Sequence, residues 1–296
     1  MAIHSHILHN GEIRLASEPG LFAGQLGLLA GWGVFSTLRV HDGQLFAWER
    51  HWARMSRDAQ LMNVPLPSGA DQVERDLMKL LAANDIVGRH SGKCTVRIVF
   101  VRNTGGLWEG PSSGIPSDLI ALTANMKQWG ESVRLDVQPH GRYAAGEFTH
   151  TKVLSWAHNL RWAERAHDAG FDETVLLNER NTIAECTSAN VFAIFGNEVA
   201  TPPVTDGCLP GITREVLVNE IHVPGIEIRE RSLSIEDLHA ADEVFITSST
   251  RDLLAVRELA GHTLNRRGDV RERLSRAFQA YVLEDVARRG KAALAA

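Results

Sequence analysis

The sequence predicts an α+β or α/β protein built in two parts. Strand-like and helix-like segments are mixed along its 296 residues, and turn dipeptides separate the strands. A stretch dense in Gly, Pro and Ser at 102–116 interrupts this pattern. A chain of this length can bury a sizeable core. We therefore expect a boundary between the two parts near residues 115–130.

Turn dipeptides define the hairpins of the first part. Asn10-Gly11 and Asp42-Gly43 each lie between apolar segments. Asn, Asp and Gly tolerate the positive φ angles that two-residue hairpin turns need. Apolar residues at helical spacing and β-branched residues predict the other elements. They are helices at 49–62 and 71–83 and strands at 94–101 and 119–123.

The second part shows the same mixture of periodicities. Gly196-Asn197 is a third hairpin signal. A long amphipathic pattern at 270–289 predicts a helix near the end of the sequence. The remaining expected elements are strands at 133–137, 173–177 and 190–195, and helices at 155–169, from Ile212 and from Ile235.

Composition narrows the function classes. A formal net charge of −5 disfavours duplex nucleic acid as a partner, because such proteins carry a basic stripe. The longest apolar stretch, at 26–35, is short and broken by glycine, and the N-terminus lacks an apolar leader region. We therefore expect neither a membrane span nor a signal peptide. Cys94, Cys186 and Cys208 lack CxxC spacing, which predicts free thiols in the cytosol and no metal cluster.

The first segment with candidate chemistry is His150-Thr151-Lys152-Val153-Leu154-Ser155. A lysine that forms a Schiff base must be partly buried, so that its neutral amine is accessible near neutral pH. Apolar neighbours after Lys152, including Trp156, are compatible with such burial. A solvated surface lysine explains the segment alone equally well.

Two further segments combine small residues with polar groups. Glu185 precedes a run of small residues and a strand, so its carboxylate could face a heteroaromatic nitrogen and keep it protonated. Gly211-Ile212-Thr213 opens a predicted helix, whose free backbone N–H groups can bind an anion. A water-exposed glutamate and a plain helical turn are the alternatives.

Two more segments are suited to anions. Thr247-Ser248-Ser249-Thr250 follows a short apolar strand and offers hydroxyls for phosphate or carboxylate, although it could simply cap a helix. Arg54, within His51-Trp52-Ala53-Arg54-Met55, carries a fork of donors that matches phosphate oxygens, although an exposed helical arginine is equally compatible. No single segment decides the function.

Taken in order, these segments resemble the class IV aminotransferases, a family of pyridoxal-5′-phosphate (PLP) enzymes that includes branched-chain and D-amino-acid aminotransferases and 4-amino-4-deoxychorismate lyases. The resemblance covers nearly the whole chain. Five motifs carry it: Gly31–Arg39 is similar to G-D-G-V-F-E-x-x-R, His51–Met55 to H-L-x-R-L, Glu185–Phe192 to E-G-x-x-x-N-x-F and Thr247–Thr250 to T-G-T-A, while Gly211–Arg214 matches G-I-T-R.

The resemblance implies roles for individual residues. Lys152 falls at the position of the Schiff-base lysine and would be the catalytic residue. Glu185 would contact the pyridine nitrogen, with Asn190 nearby. The phosphate would be held by Arg54, Ser249 and the backbone of Ile212 and Thr213, and the substrate by Phe35, Arg97, Ser248 and Thr250.

The resemblance also implies the fold and the setting. It predicts a two-domain α+β enzyme of fold type IV, like D-amino-acid aminotransferase. The expected parts are a small domain at 1–118, a linker at 119–130 and a larger domain at 131–296 that carries Lys152. A cytoplasmic homodimer that moves an amino group between an amino acid (or an amine) and a 2-keto acid is expected.

Departures from the family pattern leave the substrate open. Trp32, Ser36 and Cys186 replace the usual Asp, Glu and Gly, and Ser155-Trp156 stands where branched-chain enzymes have Asn-Tyr. The main prediction is a transaminase, branched-chain-like by resemblance. The alternatives are an aminodeoxychorismate lyase, a non-catalytic protein of the same fold that binds a phosphorylated ligand and, ranked last, a structural or interaction protein.

Overall fold

The computed structural model describes residues 2–18, 20, 24–86, 93–105, 114–265 and 267–295. Part of the predicted long loop, residues 106–113, lies outside the described residues. The chain divides into two units. The first unit comprises 1–127, 151–156 and 285–296, and the second comprises 128–150 and 157–284.

The first unit contains an antiparallel sheet. Its described strands are β1 (Ile3–His9), β2 (Glu12–Leu15), β3 (Gly33–His41), β4 (Gln44–Leu45), β5 (Lys93–Arg102) and β6 (Ser117–Asn125). They pair in the order β2-β1-β6-β5-β3-β4, each antiparallel to its neighbours. The helices are α1 (Leu26–Ala30), α2 (Trp48–Leu61) and α3 (Ala70–Ala83).

Both predicted hairpins of this unit are confirmed. Asn10 and Gly11 join β1 to β2 with φ angles of 52° and 85°. Asp42 and Gly43 join β3 to β4 with φ angles of 50° and 73°. Two consecutive positive φ angles give the turn a twist that matches the right-handed twist of the paired strands.

The core of the first unit lies where α2 and α3 pack against the sheet. The residues predicted to form the apolar face of α3 are all fully buried there: Val73, Leu77, Leu80 and Leu81. The opposite wall includes residues of β3 and β5 such as Leu38 and Phe100. The spacing of apolar residues therefore predicted the buried face of this helix correctly.

The predicted linker at 119–130 is wrong over most of its length. Residues 117–125 form β6, which pairs with both β1 and β5 inside the first sheet. The prediction that the second domain carries Lys152 is also wrong, because residues 151–156 belong to the first unit. The backbone of this short segment hydrogen-bonds to β3, and that pairing determines where it belongs.

The second unit contains a mixed sheet. Its described strands are β7 (Ser132–Gln138), β8 (Glu173–Leu177), β9 (Ile183–Cys186), β10 (Asn190–Phe195), β11 (Glu198–Thr201), β12 (Glu227–Glu230), β13 (Glu243–Ser248), β14 (Asp252–Leu259) and β15 (His262–Thr263). The order is β12-β11-β10-β13-β14-β7-β8-β9, with β15 paired to β14. The pairs β11–β12, β14–β7 and β7–β8 are parallel.

The helices of the second unit start close to the predicted residues. They are α4 (Ala157–Asp168), α5 (Ile212–Asn219), α6 (Ile235–Ala240) and α7 (Val270–Ala295), of which the residues from Asp285 onward belong to the first unit. In the sheet, Phe192 and Phe245 face each other on β10 and β13 with ring centroids 4.9 Å apart. No helix in the described part of the chain has the length and apolarity needed to cross a bilayer.

The packing of α3 yields a stability prediction. Leu81 is fully buried, whereas Leu61 on α2 is 44% exposed. Leu81→Ala should lower the free energy of unfolding by about 2–5 kcal/mol through lost burial and the cavity left behind. The same change at Leu61 should cost no more than about 0.5 kcal/mol. Urea denaturation of both variants tests this, and equal losses would contradict the assignment of the core.

Candidate active site

Backbone hydrogen bonds fix the position of Lys152 on the edge of β3. The Phe35 N–H donates to the Lys152 carbonyl over 3.0 Å, and the Leu154 N–H donates to the Gly33 carbonyl over 2.8 Å. The Lys152 N–H donates to Oδ2 of Asp58 on α2, also over 3.0 Å. The lysine is therefore held by a strand on one side and by a helix on the other.

The Lys152 amine lies beside two aromatic rings. Its Nζ is 4.6 Å from the ring centroid of Phe35 and 6.0 Å from that of Trp156. The two rings meet edge to face, with centroids 6.0 Å apart. The guanidinium carbon of Arg97 is 4.4 Å from the Phe35 centroid, and burial lowers the pKa of Arg97 from its ordinary value. Phe35 thus contacts both cationic side chains predicted to act on the cofactor and substrate.

Arg54 lies on a buried polar face of α2. His51, Arg54 and Asp58 are spaced three and four residues apart, so their side chains leave the helix on one side. Nη2 of Arg54 donates to Oγ of Ser36 over 2.8 Å, and the same Oγ lies 2.8 Å from Nδ1 of His51. Ser36 on β3 is fully buried. The serine therefore connects the arginine to the histidine.

His51 is held in its neutral form. Burial lowers its pKa well below the ordinary value of 6.5, and the positive charges of Arg54 and Lys152 lower it further. Its Nε2 is buried and has no hydrogen-bond partner among the described residues. A neutral imidazole adds no charge beside the arginine, and its Nδ1 can accept a hydrogen bond from the Ser36 hydroxyl.

Glu185 and Asn190 hold the chain just before α5. The buried carboxylate of Glu185 forms an ion pair with Arg142 and accepts the Leu209 N–H over 3.0 Å. Nδ2 of Asn190 donates to the Leu209 carbonyl over 2.9 Å. The backbone N–H and the carbonyl of Leu209 are therefore fixed by Glu185 and Asn190, two residues of the same sequence motif.

The segment from Gly211 to Thr213 forms the N-terminus of α5. Gly211 precedes the helix in extended conformation, and a Cβ there would come within 2.1 Å of Oδ1 of Asn190. The N–H groups of Ile212 and Thr213 have no acceptor within the helix, because the first turn leaves such donors open. Oγ1 of Thr213 is buried without a hydrogen-bond partner among the described residues. Open donors and an unsatisfied hydroxyl together suit an anion.

The predicted hydroxyl segment forms a tight turn after β13. Oγ of Ser248 lies 3.3 Å from Oγ1 of Thr250 and accepts the Thr250 N–H over 3.4 Å. The N–H of Arg251 donates to the Ser248 carbonyl over 3.2 Å. Ser249, at the middle of this turn, is partly buried. The turn thus groups the two hydroxyls predicted to bind the substrate carboxylate.

The predicted site residues divide between the two units. Within the first unit, Phe35 contacts both Lys152 and Arg97, while Arg54 is linked to β3 through Ser36. In the second unit, Glu185 and Asn190 are brought together with the start of α5. The members of the second set are Glu185, Asn190, Ile212, Thr213, Ser248, Ser249 and Thr250.

In each unit, the sequence-based predictions missed residues that contact the predicted site residues or their neighbours. In the first unit, Asp58 and His51 carried a usable signal, because they share the spacing that places Arg54 on one side of α2. Arg142, which pairs with Glu185, carried none, since 43 residues separate the two positions. Arg251 and Glu173, 78 residues apart, were missed for the same reason.

The low pKa of His51 predicts a pH dependence of stability. Its folded pKa lies below its unfolded value, so the unfolded chain binds more protons below about pH 6.5. The free energy of unfolding should therefore fall as pH decreases from about 6.5. His51→Gln keeps a polar partner for Ser36 and cannot titrate, so its slope should be smaller by up to about 1.4 kcal/mol per pH unit.

The matched control for this test is His158→Gln, at an exposed position. Urea unfolding between about pH 5 and pH 7.5 provides the slopes. The control should follow the wild type. If the unfolding free energy of His51→Gln changes with pH as steeply as that of the wild type, His51 has the same pKa in the folded and unfolded states and the prediction is wrong.

Known proteins share this fold and sequence pattern. The chain is 28% identical over 258 residues to a Methanocaldococcus jannaschii protein provisionally named as a branched-chain-amino-acid aminotransferase, covering 86% of this chain and 88% of that one. It is 25% identical to the D-alanine aminotransferase of Bacillus licheniformis, covering 95% and 99%. The branched-chain aminotransferase of Thermoproteus uzoniensis, solved with norvaline, superposes with a TM-score of 0.84 at 22% identity, covering 95% and 96%.

The predicted fold type is confirmed, since aminotransferases of that fold, such as the Thermoproteus uzoniensis enzyme, superpose on this chain. The family described as Amino-transferase class IV matches residues 33–259, a range that includes the lysine, the Glu185 motif and the hydroxyl turn. Class IV aminotransferases use PLP as their cofactor. The chain belongs to the class IV aminotransferase family.

Proposed function

We propose that this chain is a PLP-dependent transaminase that moves an amino group between a branched-chain-type amino acid and a 2-keto acid, with Lys152 as the catalytic residue. The observation that carries the proposal is the setting of Lys152. Its backbone is fixed by hydrogen bonds to Phe35 and Asp58, and its amine lies beside two aromatic rings in a chain of this family. A partly buried amine is suited to act as a nucleophile and base.

The described residues fit the cofactor's phosphate. An anion of that size needs several donors, and the start of α5 offers the N–H groups of Ile212 and Thr213 with the unsatisfied hydroxyl of Thr213. Arg54 supplies a cationic fork whose orientation is fixed through Ser36. We assign the phosphate to these groups together with Ser249.

Glu185 is suited to the ring nitrogen of the cofactor. Its carboxylate is buried and held by Arg142 and the Leu209 N–H, so its direction is fixed before any ligand binds. We assign it the protonated ring nitrogen, with Asn190 supporting the same stretch of chain. When bound, PLP supplies an electron-withdrawing ring that stabilises negative charge at the substrate Cα.

Lys152 has two tasks in this proposal. It would hold the cofactor through its amine, and its Nζ would carry the proton that leaves the substrate Cα during amino transfer. Ser248 and Thr250 would donate hydrogen bonds to the substrate carboxylate. Phe35, Trp156 and Arg97 lie around the amine and would contact the substrate side chain.

Assembly and location complete the proposal. The family resemblance supports a homodimer. Cys94, Cys186 and Cys208 are all free and buried, as expected for a protein that works in a reducing compartment. We therefore propose a cytoplasmic homodimer.

Replacement of the catalytic lysine tests the central assignment. Lys152→Ala should lower the rate of amino transfer by about a thousandfold or more, because it removes the nucleophile and the base together. Lys79→Ala, at an exposed lysine of α3, should leave the rate unchanged. A panel of L- and D-amino acids, followed by the loss of cofactor absorbance in each half-reaction, provides the measurement.

Two results would contradict the proposal. Borohydride reduction of the PLP-loaded protein followed by peptide mapping should label Lys152, and labelling of another lysine would overturn the assignment. Formation of pyruvate from aminodeoxychorismate without any amino acceptor would identify a lyase instead of a transaminase.

The unsatisfied hydroxyl of Thr213 gives a second test. Thr213→Val keeps the shape of the side chain and removes a buried hydroxyl that has no hydrogen-bond partner among the described residues. The cofactor-free variant should be as stable as the wild type or more so, because no polar group is left unpaired. Its affinity for PLP should fall about tenfold, the effect of losing one hydrogen bond to a charged group.

Thermal unfolding of the cofactor-free protein and equilibrium titration with PLP measure the two effects separately. Thr205→Val, at an exposed threonine, is the matched control and should change neither. A loss of stability without a loss of PLP affinity would assign Thr213 to the fold alone.

A further inference from the structure

Arg251, directly after the hydroxyl turn, is a buried arginine with a buried partner. Its side chain is 6% exposed, and the Glu173 side chain that pairs with it is 3% exposed. Nη2 of Arg251 lies 3.1 Å from Oε2 of Glu173. Burial lowers the pKa of Arg251, and the charge of Glu173 opposes this. An ion pair of this kind is costly to bury unless its remaining donors are also satisfied.

All four terminal N–H groups of Arg251 have an acceptor, whereas its buried Nε–H has none among the described residues. Nη1 donates to the Ser188 carbonyl over 3.0 Å and to Oγ of Ser248 over 3.3 Å. Nη2 donates to Oγ of Ser188 over 2.9 Å as well as to Glu173. The guanidinium also lies over the ring of Trp129, 3.9 Å from its centroid. Arg251 therefore cannot turn toward a ligand without breaking these bonds.

These bonds determine which way the Ser248 hydroxyl acts. Its oxygen receives hydrogen bonds from Arg251 and from the Thr250 N–H, and both of these groups can only donate. The Ser248 proton is therefore left to donate, either to Oγ1 of Thr250 at 3.3 Å or to an anion. A positive charge beside the oxygen makes its O–H a stronger donor.

Glu173 anchors the other end of the network. Its carboxylate accepts hydrogen bonds from the Thr187 hydroxyl, from Oγ of Ser188 over 2.6 Å and from the Thr174 N–H over 3.0 Å. Thr187 and Ser188 lie between β9, which carries Glu185, and β10. Arg251 and Glu173 thus tie the hydroxyl turn to the segment that follows Glu185.

We propose that Arg251 is a positioning residue that, braced by Glu173, sets Ser248 and Thr250 as donors to the carboxylate of the substrate. The site accordingly selects carboxylate-bearing amino acids over primary amines that lack this group. This inference rests on the proposed function, which assigns the substrate carboxylate to these two hydroxyls. Arg251 acts through Ser248 and does not touch the substrate.

Binding of a non-reacting pair of ligands tests the proposal. 4-Methylpentanoate and 4-methylpentanamide share a carbon skeleton, and only the first carries a negative charge. Calorimetric titration of the PLP-loaded wild type should show tighter binding of the carboxylate. Arg251→Met should weaken carboxylate binding about tenfold and change amide binding by less than about twofold.

Two further variants separate positioning from charge and from folding. Arg251→Met combined with Glu173→Gln removes one charge of each sign, so it keeps the net charge and leaves no unpaired ion in the interior. It should weaken carboxylate binding as much as the single variant does. Arg257→Met makes the same substitution at an exposed arginine of β14 and should change neither ligand.

The outcomes distinguish this inference from the proposed function. Unchanged carboxylate binding in the double variant, or equal losses for carboxylate and amide, would overturn the role of Arg251. Transfer activity on amino acids should show the same effect as a raised KM with little change in kcat. If carboxylate binding depends on Arg251 but the wild type transfers no amino group, the transaminase is refuted and the positioning role of Arg251 stands.

Discussion

The pairing of residues 152–154 with the edge of β3 is the interaction on which the placement of Lys152 depends. β4 covers β3 only at Val40 and His41, so the opposite end of the strand has backbone groups that need partners. Lys152 and Leu154 supply them at Phe35 and Gly33. Lys152 lies between β7 and α4, where a loose loop would be expected. Its hydrogen bonds to β3 instead fix its backbone as firmly as that of a strand residue.

The same pairing explains the glycine at position 33. A Cβ there would come within 2.4 Å of the Phe100 carbonyl on the neighbouring strand and 3.2 Å from the Leu154 side chain. The close approach of β5 on one side and of the lysine segment on the other leaves room only for hydrogen. Steric crowding by these two neighbours thus explains why this chain has glycine at position 33.

Local sequence signals predicted most helices and strands but not how they combine. The positive φ angles at Asn10-Gly11 and Asp42-Gly43 follow from the residues themselves, and so do the hairpins. The place of β6 between β1 and β5 depends on pairings across the length of the first unit, and no local pattern encodes it. The linker prediction was wrong for this reason.

The site was predicted unevenly for a related reason. Residues within contiguous motifs, such as Arg54 and Glu185, could be proposed as site residues from the order of the motifs alone. Arg142 and Arg251 could not, because their partners lie far away in the sequence and a single arginine in a loop resembles any surface arginine. The two members of such an ion pair can be recognised as partners only in the folded structure, where they lie close together.

Two serine hydroxyls, those of Ser36 and Ser248, each accept a hydrogen bond from a buried arginine. Arginine can only donate, so Ser36 accepts from Arg54 as Ser248 accepts from Arg251. Ser36 is fully buried, and its proton has one evident acceptor, Nδ1 of His51, which must then be unprotonated. The low pKa of His51 agrees with this arrangement.

Ser248 differs because it lies at the partly exposed end of β13, where its proton can reach a ligand. The Ser36 proton is therefore used in a hydrogen bond within the protein, whereas the Ser248 proton lies where it is partly accessible. In both cases the arginine turns a neutral hydroxyl into a donor of fixed direction. Burial of that hydroxyl then decides whether its proton is used within the fold or stays available to a bound anion.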